Sequence, residues 1–157
     1  MMRSLAVLLF LAAGLAQAQI PADKDDLLGG EGAGQAKCAE MNGYPGPKHV
    51  LDVATMLNLT PDQKRRVTEI YKAMDARARE LGKRIVRVED ELNTAFRQGL
   101  VSERSVNDDA EQIGRLRGKL RAVHLTAHLK TKDVLTRTQI DMVKSMRAKD
   151  DLDQHKH

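Results

Sequence analysis

The chain has 157 residues, 31% of them charged and only 3% aromatic, with a formal net charge of +4. That length suits one domain. With no tryptophan, two tyrosines and two phenylalanines, it lacks the aromatic set on which nucleic-acid bases would stack, and nucleic acid is not an expected partner.

Residues 1–18 read as a secretory leader. Arg3 is the positive start, residues 5–15 are the apolar run, and Ala16-Gln17-Ala18 forms an A-x-A cleavage site before Gln19. So short a run is a poor membrane span. The mature chain is therefore expected to be soluble and exported, in the periplasm or an equivalent space. Cys38 lies too far along for a lipoprotein anchor. Leader removal leaves 25 basic and 22 acidic residues, a modest excess for so charged a chain. A core of Leu, Ile, Val, Met and Ala is thin, which suits paired long helices better than a globule.

Residues 19–47 are expected to form a flexible arm. Gly29, Gly30, Gly32 and Gly34 weaken any helix, and Asn42-Gly43-Tyr44-Pro45-Gly46-Pro47 is a dense turn cluster. Cys38 has no partner for an internal disulfide. In an oxidising compartment it is either a free thiol or a cross-link between two copies.

The helical domain is expected over residues 48–149. A short helix at 49–58 offers Val50, Leu51, Val53, Ala54 and Leu57 for burial. A long helix then starts at the Thr60 cap, with Pro61 at N1, and runs to Gln98, where Gly99 suits a C′ position. Along it Val67, Tyr71, Met74, Ala78, Leu81, Ile85, Val88, Leu92 and Ala95 alternate at spacings of four and three, the seam of a helix packed along its length. A rod of about 38 residues is about 57 Å long and needs a partner. Gly82 interrupts it and marks either a bend or a close helix approach. Ser102 caps the partner helix, which runs to about Asp133 with Val106, Ala110, Ile113, Leu116, Leu120, Val123 and Ala127 as its seam. The connection through Leu100 and Val101 is short enough to force an antiparallel hairpin. A last helix carries Ile140, Val143 and Met146 on one face, and residues 150–157 read as a polar, disordered tail. The expected class is all-α: four helices dominated by one long antiparallel hairpin.

Two of these helix starts share a phrase. Leu59, Thr60 and Gln63 recur as Leu135, Thr136 and Gln139, an L-T-x-x-Q pattern in which threonine and glutamine form a capping box. On a helical chain of this size with a secretory leader, the repeated phrase resembles the Spy/CpxP family of periplasmic chaperones and stress proteins. That family also contains periplasmic heavy-metal sensors and zinc-resistance proteins. The resemblance covers residues 42–146. It implies a homodimer whose long helices form a shallow curved cradle and hold unfolded periplasmic proteins without ATP. In the metal-sensing branch it implies binding of a transition ion through helix histidines and signalling to a membrane partner.

The residues offer something to each reading. His124 and His128 are four apart and share a helix face, a spacing that can chelate zinc, nickel, cobalt or copper if a third ligand arrives. Hairpin arithmetic puts Asp75 opposite them, and His49 can fold back to the same end. Either they form this site or both histidines are ordinary boundary residues. The terminal His155 and His157 offer only loose capture. For a client or partner surface, Leu125 and Leu129 project away from the buried stripe, unless the first or last helix covers them. Arg77, Arg84, Arg87, Arg117 and Arg121 lie along the hairpin, and their long stems over a thin apolar seam make an amphipathic surface. No nucleophile–base set, paired carboxylate cleft or cofactor motif is present, so a non-enzymatic role is expected.

Overall fold

The computed structural model describes residues 20–32 and 34–154, and its helices are α1 (Lys24–Gly29), α2 (Lys37–Met41), α3 (Pro47–Asp52), α4 (Pro61–Gln98), α5 (Glu103–Val134) and α6 (Arg137–Gln154). No strand occurs among the described residues. The all-α class holds, with six helices among the described residues where the sequence suggests four. The leader and the terminal histidines lie outside the described residues.

The long helices begin and end where their caps dictate. Thr60 Oγ1 accepts from the Gln63 amide at 3.1 Å, and Gln63 Oε1 accepts from the Thr60 amide at 3.1 Å. Ser102 and Ser105 repeat the reciprocal pattern at the start of α5. Gly99 closes α4 with a φ of 67°, a left-handed value that costs glycine little. The two helices pack antiparallel, and Ala78, Leu81, Ile85 and Val88 of α4 are buried with Leu116 and Leu120 of α5.

The arm is not a loose leader. α1 lies on α4 and buries Leu27 in the hairpin cluster. It can do so because residue 82 has no side chain: a Cβ there would lie 1.9 Å from the Leu27 carbonyl oxygen. Of the two roles the sequence allows for Gly82, close approach is the one seen. Arg79 Nη1 donates to the Leu28 carbonyl at 3.2 Å. Arg117 grips Asp23 through two nitrogens, at 2.7 and 3.1 Å. That contact holds the Asp23 carboxyl below its ordinary range, the hydrogen bond from Arg117 being the main cause. α2 meets α6 through Arg147 and Glu40 at 2.5 Å. The arm thus folds by borrowing partners from the hairpin, which its own composition does not announce.

The base of the hairpin is a second core of Val50, Leu57, Val67, Val134, Leu135, Ile140 and Val143. The two L-T-x-x-Q phrases meet there. Gln63 Nε2 donates to Gln139 Oε1 at 2.9 Å, and Gln139 Nε2 returns a bond to Gln63 Oε1 at 3.1 Å. Each amide also donates to a backbone carbonyl, Gln63 to Val134 and Gln139 to Leu57. Each oxygen also accepts from its own N-cap amide. All eight hydrogen-bonding places of the two side chains are filled, as burial of such groups requires.

Two boundaries differ from expectation. α3 starts at Pro47, whose fixed φ suits N1, and ends at Asp52 rather than running over 49–58. α6 continues to Gln154 through part of the expected disordered tail, because no glycine or proline after residue 137 stops it.

Candidate functional site

The arm covers one side of the hairpin and leaves the other open, so each side has its own concavity. On the covered side, a cavity of about 250 Å³ is lined by residues that include His49, Tyr71, Asp75, His124 and His128. The four side chains that the sequence nominates as metal ligands therefore converge on one place. Glycines bring the arm down onto the rings. A Cβ at Gly46 would lie 3.0 Å from His128 Nε2, and one at Gly32 would lie 3.6 Å from His124 Nδ1.

Both histidines are buried, His124 to 3% exposure and His128 to 5%. His128 Nδ1 lies 2.7 Å from the Tyr44 carbonyl and donates to it, which leaves Nε2 facing Glu40 Oε1 at 3.9 Å. The same Tyr44 presents its ring to Lys132 Nζ, 3.6 Å from the centroid. His124 Nε2 is buried with no hydrogen-bond partner. Burial, and secondarily the nearby His128, lowers the His124 pKa below its ordinary 6.5.

Imidazoles and a carboxylate are donors that suit zinc, nickel, cobalt or copper. Their arrangement does not: among the described residues, no three His, Cys, Asp or Glu side chains are grouped so as to hold a metal ion. Asp75 is turned to Arg79, its Oδ2 2.8 Å from the guanidinium Nε, and His128 is anchored by Tyr44. The expected ligands thus share a cavity without being grouped around a common point. Cys38 is exposed on α2, with Arg121 Nη2 at 4.0 Å from its sulfur.

On the open side, α4 and α5 enclose a groove of about 890 Å³ to which neither the arm nor α6 contributes a wall. Ile70, Ala73, Met74 and Leu81 from α4 and Ala122, Val123 and Ala127 from α5 form an apolar floor. Arg66, Arg77, Lys119 and Lys130 stand on the rim with Glu69 and Asp133. Small residues make the trough, because Ala73 and Ala122 fall where bulkier side chains would close the helices over it.

The expected client surface is only partly this groove. Arg77 lines it and also pairs with Glu80. Arg84 and Arg87 are exposed but outside it. Arg117 is committed to Asp23, and to Glu89 at 3.5 Å, so it fastens the arm rather than offering a free charge. Arg121 is exposed, with its Nη2 beside Cys38 of α2. Leu129 is 53% exposed and Leu125 is half-buried, and neither lines the groove. The floor residues Ala73 and Ala122 went unmarked in the sequence. Their signal is small residues on both helices of the hairpin.

No protein-family model, curated protein or solved structure matches this chain. No helix among the described residues is long and apolar enough to cross a membrane.

Proposed function

We propose that this protein is a non-enzymatic holding protein of the Spy/CpxP type, exported by its leader to the periplasm, where it binds exposed apolar segments of unfolded chains without ATP. The observation that carries the reading is the uncovered groove, apolar below and mostly basic above. Apolar floor offers affinity that does not depend on sequence. The basic rim attracts chains at a distance and leaves them weakly held. Nothing in such binding needs nucleotide energy.

The test is dilution of a chemically denatured model enzyme into ATP-free buffer with stoichiometric amounts of this protein. The wild type is expected to suppress light scattering. Ala122→Trp, which fills the trough from an exposed position, is expected to lose most of that effect while keeping its helical circular dichroism. Equal suppression by both proteins would discard the groove as the holding site.

A second reading, a periplasmic transition-metal sensor or resistance protein with a membrane signalling partner, is favoured by one observation: His49, Asp75, His124 and His128 line a common cavity. Binding there requires the arm to shift, since no three of these side chains are grouped to hold an ion. Calorimetric titration with zinc, nickel, cobalt and copper of a protein ending at residue 154, with and without His124→Ala/His128→Ala, separates the two readings. Affinity that the double substitution leaves unchanged removes the sensor reading.

A further inference from the structure

Charge is segregated along the hairpin. Residues 64–87 and 115–132 together carry fifteen basic and three acidic side chains, whereas residues 89–111 at the tip carry seven acidic and two basic. No residue from 89 to 115 is buried, and the tip keeps large apolar side chains in water: Phe96 is 54% exposed and Leu100 72%. The chain therefore presents an acidic end with protruding apolar groups and, farther along, a basic-rimmed trough with an apolar floor. The two surfaces complement each other in sign and in polarity. They cannot meet within one molecule. Along a continuous helix the centre of the groove lies about 26 residues from Leu100, or about 39 Å.

From this complementarity we infer that the tip of a second copy is the resting occupant of the groove, and that it competes there with unfolded polypeptide. The competition rests on the holding reading above; the docking does not. Phe96 and Leu100 supply the apolar contact, and Glu91, Asp108 and Asp109 bring carboxylates to a rim where Arg77, Lys119 and Lys130 are basic. Glu69 and Asp133 do not reverse the sign of that rim, which keeps four bases to two acids. Charge steers such an encounter and makes it sensitive to salt. A holding protein occupied by its own copies keeps its apolar trough covered until unfolded chains accumulate and displace them.

The experiment uses two charge reversals in the full mature chain: a tip variant, Glu91→Lys/Asp108→Lys/Asp109→Lys, and a rim variant, Arg77→Glu/Lys119→Glu/Lys130→Glu. Sedimentation velocity over a range of concentrations reads self-association, and circular dichroism checks folding. Each variant alone is expected to associate at least about tenfold more weakly than wild type, and their mixture is expected to recover association, because each supplies what the other lacks. The tip variant is expected to hold a labelled, chemically unfolded model protein several-fold more tightly than wild type at high protein concentration. Wild-type self-association in the tip variant, or a mixture that stays monomeric, overturns the docking. Recovered association with unchanged holding by the tip variant overturns the competition. If neither variant nor wild type holds the unfolded protein while association still follows the reversals, the holding reading fails and the docking stands.

Discussion

The carbonyl oxygen of Leu27 sits where a side chain on residue 82 would have to be, 1.9 Å from the position of a Cβ built on Gly82. The arm and the hairpin thus meet backbone to backbone, and the contact buries Leu27 to 4% exposure. Substituting Gly82→Ala is expected to lift α1 and destabilise the protein by about 1–3 kcal/mol, the usual cost of overpacking. In a chain lacking residues 19–32 the same change is expected to stabilise α4, since alanine favours helix over glycine by about 1 kcal/mol. Urea unfolding of the four proteins measures both, and the same sign in both backgrounds contradicts the contact.

The glutamines of the two repeated phrases form a single polar joint. Gln139→Leu leaves the Leu57 carbonyl and the Gln63 amide short of partners in a buried place, which is expected to cost about 1–3 kcal/mol. Replacing both Gln63 and Gln139 by leucine is expected to cost less than the sum of the single changes, with a coupling of about 0.5–3 kcal/mol. A double-mutant cycle by chemical denaturation checks this. Strict additivity means that the two amides do not act together.

Acid should loosen the covered side in two stages. The folded His124 pKa lies below its ordinary 6.5, with burial as the main cause, so the unfolded chain takes up the proton first. Its contribution is complete above about pH 6.5 and is lost as pH falls towards the folded value. Asp23 behaves likewise at lower pH. Its folded pKa is held below 3.8 by Arg117, so that contribution is present above the ordinary carboxylate value and disappears beneath it. Unfolding curves in chelator between about pH 7.5 and about pH 3 are expected to show both losses. His124→Gln should flatten the first stage and spare the second.

The tip should be energetically silent in the isolated chain. Leu100→Glu and Phe96→Ser remove side chains that are mostly in water, and each is expected to shift stability by no more than about 0.5 kcal/mol. Thermal unfolding at low protein concentration, where copies are apart, gives the comparison. A loss of several degrees would mean that these residues are packed.

The hairpin was legible because its information is local or periodic. Thr60, Pro61 and Gln63 announce a helix start within four residues, Gly99 announces its end, and the spacing of Leu81, Ile85 and Val88 gives the buried face. The arm was not legible, because α1 is held by a glycine on another helix and by Arg117, neither of which leaves a pattern in residues 19–47. For the same reason the two capping boxes were visible while the bond between them, Gln63 to Gln139 across 76 positions, was not. Hairpin arithmetic pointed to Asp75, and the turn before His49 allowed it to fold back; both line the cavity of the histidine pair. Such reasoning could not foresee that Arg79 and Tyr44 would engage two of those groups first.

Because no residue from 91 to 112 is buried, the reach of the rod is a free parameter. Seven residues added to each strand of the hairpin would carry its end about 10 Å farther out with the heptad phase intact. The rod can therefore be lengthened, like a ruler cut from longer stock, while the clamped end keeps its shape.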